Sequence, residues 1–541
     1  MATDNPVPAD CPVFYHGFNT SSPLTTSQLN LQEILKDNIK DTLAGLENDT
    51  PPKFRWFHLP VNNMALAEKF LSKVGPSNFK LDEKTWNLKL RPALSSAINL
   101  PLHSIHMEPS CDTQDPQESR PQSPLATLYV PYMNYDIYSN YQLLQRLYAG
   151  DLTAEEAGYE RMIMERESTQ DLNATHPLHP RRTLDQFFYP SLIDTTARDS
   201  DQTLSKWTGS NLGQEGRHKA ADDSLLILVD QLWCWVVDKD TIVTFFPSHN
   251  TQYGDRQFHD LYRSINNAIS NCDTIWDLYA LLFKEASTYL FSLENRKHMD
   301  ILGIYRWVAS HKAADQTIYL QGFQRAQSAQ AARAASLDYG PELKLFLEVA
   351  DIIDEIKMIK HLVKQQRAVL KELILALRRW VPVDDNQFHR GSVVDISVPW
   401  SSSGFESLVE NTKLLASRVA GAAKTHIIDT EEMLVSLLAN FNAVQEDAEY
   451  TQKILLGLLD LKQKTASLGE ARSTTKQGGA IMLFTIVTVL FLPLSFFTSF
   501  FGQNVSEITG DRKNPTTWEL WRIATRIVRY GSGSADVVIT T

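Results

Sequence analysis

The spacing of hydrophobic positions changes twice along this chain. In the first half they form short runs rich in aromatic and β-branched residues. These runs predict strands over Phe54–Leu59, Thr127–Tyr132, Leu225–Val229 and Thr241–Phe246. Cys234–Val237 followed by Asp238-Lys239-Asp240 predicts a hairpin into the last of these. Helical spacing appears over 27–46, 256–291 and 295–312, and the Ala- and Gln-rich stretch 321–336 continues it. The segment 109–124 is polar and Pro-bearing and predicts an exposed loop.

The spacing then becomes four-and-three. Ile352, Ile356, Ile359, Val363, Gln366, Leu370, Leu373 and Leu377 follow it. So do Leu434, Leu437, Phe441, Val444, Ala448, Thr451, Leu455, Leu458, Lys462 and Thr465. A 3.5-residue period kept this long predicts long helices packed at shallow angles. The intervening 381–404 is rich in Pro, Ser and Gly and predicts a loop.

At 480–501 the period disappears: AIMLFTIVTVLFLPLSFFTSFF is apolar on every side, and no charged residue occurs between Lys476 and Glu507. A helix of this length reaches about 33 Å, enough for a bilayer core. The expectation is a membrane span. It has one distinct face, where Thr485, Thr488, Leu492, Ser495 and Ser499 align with Gly502. Such a stripe suits a close-packed seam between membrane helices or the lining of a pore, and a symmetric oligomer makes both true.

A stalk helix entering the membrane, the run LPLSFFTSFFG and the tripeptide Gly502-Gln503-Asn504 resemble the CorA family of divalent-cation transporters, most closely its fungal branch. The similarity covers about 341–504, and RWFHLPVNN (55–63), HPRRTLDQFFYPSL (179–192) and LLILVDQLWCWVVDKDTIVTFFP (225–247) also look like that branch. The resemblance implies a homo-pentamer around an axial pore, with the tripeptide ringing the outer mouth and meeting a hydrated Mg²⁺ or related ion such as Zn²⁺. The family tripeptide is Gly-Met-Asn, and Gln503 stands at the Met position. The family also has a second membrane helix. Here 507–524 resembles its outer loop and beginning, but Arg522, Arg526 and Arg529 then lie within eight residues, so a second span is expected to be absent.

Composition adds less. The net charge of −12, from 64 acidic and 52 basic residues, gives no basic footprint for nucleic acid. Cys11, Cys111, Cys234 and Cys272 form no CxxC, which suits a reducing compartment. His103 with His106, and His176 with His179, lack neighbouring ligands, and no nucleophile elbow, P-loop or dinucleotide motif occurs. His58 reads as a packed core residue. Asp351, Asp354 and Glu355 read as a solvated acidic face.

The expected fold class is therefore α+β/α, a cytosolic mixed α/β N-terminal domain whose long, coiled-coil-like helical stalk continues into a transmembrane helix. The expected divisions are 1–340, the stalk 341–479, the pore helix 480–501 and a polar tail 502–541. The expected function is that of a divalent-cation channel subunit, not an enzyme, with no covalent cofactor and with lipid and divalent cations as partners. It is expected in the plasma membrane rather than an organelle. The alternative is a membrane-anchored cytosolic regulatory protein that does not transport.

Overall fold

The computed structural model describes residues 12–19, 25–36, 39–47, 52–76, 79, 81, 90–91, 106–115, 123–149, 181–209, 222–248, 252–253, 256–257, 260–328, 338–381, 405–417 and 419–532. The chain forms two compact units. One comprises 1–321 with 341–455, and the other 322–340 with 456–541.

The first unit is built on an eight-stranded mixed sheet. Its strands are β1 (Pro12–Phe18), β2 (Thr25–Asn30), β3 (Phe54–Leu59), β4 (Ser110–Thr113), β5 (Ala126–Ile137), β6 (Arg182–Thr183), β7 (Leu225–Val236) and β8 (Thr241–Phe245). Their spatial order is β2-β1-β3-β8-β7-β5-β4, with β6 also paired to β7. β3 and β8 run parallel, and the other neighbours are antiparallel. The hairpin predicted at Asp238-Lys239-Asp240 joins β7 to β8.

All twelve residues of β7 are buried, because both faces of the sheet are covered. Alternation sends Trp233 and Trp235 to one face, where they pack with Phe57, Phe70 and Phe245. Leu232, Cys234 and Val236 go to the other, against Ile275–Thr288, Ile301–Ser328, Gly340–Trp380 and the first part of Gly421–Asn504. His58 is fully buried and its ring stacks on Phe246 at 3.9 Å.

Four local expectations are corrected. Thr25–Asn30 is a strand, not the start of a helix, because it pairs along β1 and only Leu31–Lys36 and Ile39–Leu46 are helical. Ser110–Thr113 is an edge strand on β5, not a loop. The helix expected over 256–291 breaks after Ile269–Asn271, and a Thr274–Asp277 capping box starts a new helix at Ile275. The helix expected over 295–312 is two, Leu293–His298 and Ile301–Ser328. Helical structure in 321–336 is described to Ser328, and the predicted loop lies almost wholly outside the described residues.

The two long helices carry the four-and-three register. Ile352 through Leu377 at the predicted positions are all buried, as are Leu434 through Leu458, with Lys462 beyond them. Asp277 links one of these helices to the helix it caps. Its Oδ1 accepts from the Ala423 N–H at 2.8 Å, at the start of Gly421–Asn504. Gly421 allows this approach: its φ is +74, and a Cβ there would meet Asp277 Oδ1 at 3.0 Å.

In the second unit, helix Gly421–Asn504 runs on without a break through the apolar stretch. Lys462 Nζ donates to the Asp338 carbonyl at 2.6 Å, which explains a lysine at a buried register position.

Candidate functional site: the apolar helix and its outer turn

One helix among the described residues is long and apolar enough to cross a membrane, and the rest of the chain buries none of its apolar window. Phe484, Val489, Leu490, Phe491 and Leu494 are all exposed. Such a surface suits hydrocarbon rather than water.

The expected stripe lies on this helix. Thr485, Leu492, Ser495 and Ser499 are exposed and Thr488 is half-buried. The hydroxyl protons of Thr485, Thr488 and Ser495 are used within the helix. Thr485 Oγ1 donates to the Ile481 carbonyl at 2.8 Å, and Thr488 Oγ1 to the Phe484 carbonyl at 2.7 Å. Past Pro493 the pattern shortens: Ser495 Oγ donates to the Leu492 carbonyl and Thr498 Oγ1 to the Ser495 carbonyl, both at 3.0 Å. Proline has no N–H, so the Val489 carbonyl loses its helical donor. At Thr485, Thr488 and Ser495 the hydroxyl donor is satisfied, so the chemistry these three offer outward is oxygen lone pairs.

Gly502, Gln503 and Asn504 form the last helical residues, and their side chains are outside the described set. Val505 ends the helix with extended backbone, φ −98 and ψ 129. A short turn follows. Ser506–Thr509 is helical and Gly510 closes it at φ 73, the left-handed region that favours glycine. The Glu507 carboxylate accepts from the Thr517 N–H at 3.1 Å, and the Ser506 N–H donates to the Pro515 carbonyl at 3.2 Å. Backbone N–H bonds, from its own residue first and then from Thr517, hold the Glu507 carboxyl below the usual range. Val505 and Leu520 are buried, so the turn has its own small core.

Helix Thr517–Ser532 then begins, with Thr516 and Glu519 exchanging backbone bonds at its start. Its described residues alone are not long and apolar enough to cross a membrane. Each arginine would cost about 2.5 to 3.5 kcal/mol at mid-membrane.

The acidic turn expected to be solvated is not so at Glu355. This carboxylate is buried and accepts from Thr203 N–H at 2.9 Å, Thr203 Oγ1 at 3.1 Å and Tyr305 Oη. Burial raises its pKa to about 7, against the opposing hydrogen bonds. Arg367 and Glu431 form a buried two-pronged pair between the long helices. In HPRRTLDQFFYPSL, Arg181 bridges Asp136 at 2.5 Å and Asp230 at 3.0 Å, and Thr183 with Gln186 makes a capping box. Residue-by-residue reading of the sequence missed these groups, and the paired arginines beside an apolar run were the available signal. Among the described residues no group of three or more His, Cys, Asp or Glu could hold a metal ion. His103, His176 and His179 lie outside the described set.

Residues 406–528 match the family model of CorA-like Mg2+ transporter proteins. The match spans the apolar helix, the tripeptide and the turn. No curated protein matches the chain.

Proposed function

We propose that this chain is a subunit of a CorA-like divalent-cation channel that carries Mg²⁺ or a related ion, Zn²⁺ among them, down its electrochemical gradient. The observation that carries the reading is the coincidence of the family match at 406–528 with the membrane-length helix and the Gly502-Gln503-Asn504 that ends it. In this reading several copies, five by family resemblance, surround an axis. Thr485, Thr488, Leu492, Ser495 and Ser499 face inward, because one helix encloses no water path and an oxygen-bearing stripe needs partners in lipid. Asn504 and Gln503 then ring the mouth with neutral amide oxygens. Mg²⁺ sheds water reluctantly, so such oxygens select it through its hydration shell. Gly502 lets the backbone approach without a Cβ. The chain sits in the plasma membrane with its sheet domain in the cytosol, since Lys462, Lys464, Arg472 and Lys476 precede the span. No bond chemistry is catalysed.

The test is assembly and flux together. Ser495→Leu with Ser499→Leu should block divalent flux or change the oligomer. A monodisperse monomer in mild detergent, with and without Mg²⁺, refutes the pore. One observation favours a second reading, a membrane-anchored regulatory protein that does not transport: the helix after the turn carries Arg522 and Arg526 exposed, where the family continues into lipid.

A further inference from the structure

Helix Thr517–Ser532 has two opposed faces. At the helical repeat, Leu520, Trp521 and Ile523 fall on one side. Arg522 and Arg526 fall together on the other. Among its described side chains only Leu520 is buried, at 2 % exposure, whereas Trp518, Trp521 and Ile523 stand 72 %, 60 % and 49 % exposed. The nearby Glu507 and Glu519 carboxylates accept from the backbone N–H groups of Thr517 and Thr516.

This helix has two ways to meet a membrane. Crossing it would bury the guanidinium groups of Arg522 and Arg526 in hydrocarbon. Lying along it satisfies both faces. The apolar side enters the boundary between headgroups and acyl chains, the arginines reach phosphate, and the tryptophans take the interfacial level that their rings favour. The outer turn supplies the placement. Glu507 on Thr517, Ser506 on Pro515 and the buried Val505 and Leu520 tie the start of this helix to the end of the apolar one. If that helix spans, the second helix begins at the level of the headgroups.

We infer that Thr517–Ser532 is an interfacial anchor whose partner is the phospholipid headgroup layer of the leaflet at which the span ends, with Arg522 and Arg526 pairing with lipid phosphate. The inference rests on reading 480–501 as a span, and the experiment separates the two. The full chain is reconstituted into phosphatidylcholine vesicles that carry nitroxide lipids labelled at the headgroup, at a shallow acyl position or deep in the chain. A polarity-sensitive fluorophore is attached singly at Leu490→Cys, Ile523→Cys and Arg526→Cys. Cys11 is replaced by Ser throughout, and the chain carrying only that change gives the background, which the buried Cys111, Cys234 and Cys272 keep low.

The expected result is strong quenching at position 490 by the deep nitroxide and at 523 by the shallow one. The fluorophore at 526 should respond to the headgroup nitroxide and to aqueous iodide. Replacing Arg522 and Arg526 together with Glu should return the 523 fluorophore to water, with 490 unchanged. Three results overturn the inference with the span intact: 523 quenched by iodide alone, both 523 and 526 quenched by the deep nitroxide, or 523 unmoved by the double replacement. If 490 itself is reached only from water, the span reading fails and the anchor with it.

Discussion

Glu355→Gln tests whether a carboxylate buried among helices behaves as its surroundings require. The groups facing it are Thr203, Tyr305, Lys206 and Asp185. Burial raises its pKa from an ordinary 4.5 to about 7, although the bonds from Tyr305 and Thr203 and the charge of Lys206 oppose the shift. The folded state therefore holds a proton that the unfolded chain has lost between those two values. Its stability should fall as pH rises through that window, and above it the full cost remains. At about 1.4 kcal/mol per pH unit, the cost above neutrality is about 3 kcal/mol. Glutamine carries no charge at any pH, but leaves one oxygen to serve three donors, which costs about 1 to 3 kcal/mol. The variant should be the less stable protein at pH 5 and should gain about 3 kcal/mol relative to the parent by pH 8. Pulse proteolysis of the full chain in urea, at pH 5 and pH 8, measures both. Taking the difference between the two proteins cancels other titrating groups such as Asp199, which burial also raises to about 7. A difference that stays constant across this range, or moves the other way, refutes the reasoning.

Breaking the buried Arg367–Glu431 pair with Glu431→Ala should cost about 3 to 5 kcal/mol, whereas replacing both partners by apolar residues of similar size should cost far less; urea unfolding of the two variants distinguishes them. Leu373→Ala, at a fully buried register position, should cost about 2 to 5 kcal/mol. Leu375→Ala, 39 % exposed on the same helix, should cost less than about 1 kcal/mol by the same measurement, and equal losses would reject the packing assigned to that register. Protease added to sealed right-side-out vesicles should spare the sheet domain, and its digestion there would reverse the topology.

The features legible in the sequence were those carried by local periodicity. The four-and-three register from Ile352 to Leu377 and from Leu434 to Leu458 became buried faces, because spacing alone decides which side of a helix is apolar. The core strands were legible for the same reason, although β5 and β7 each continue well past the runs first apparent. What depended on distant partners was not legible. Thr25–Asn30 is a strand only because β1 lies beside it. Glu355 looks like its neighbours Asp351 and Asp354, and only Thr203, 152 residues away, and Tyr305, 50 residues away, make it a buried acceptor. The long apolar helix followed from residue chemistry. Meaning for Gly502-Gln503-Asn504 came from family resemblance, since in isolation Gly and Asn equally suit a helix C-terminus.

The central claim is that divalent cations pass the ring that Asn504 forms. The direct measurement is Mg²⁺-dependent flux into proteoliposomes holding the unmodified chain, with Asn504→Ala, Gly502→Ala and Gln503→Met beside it. The account predicts flux in the unmodified chain, retained transport in Gln503→Met, and severe loss in Asn504→Ala and Gly502→Ala. Undiminished flux in Asn504→Ala would contradict the pore mouth, and no flux in any of the four would leave the anchored, non-transporting protein in its place.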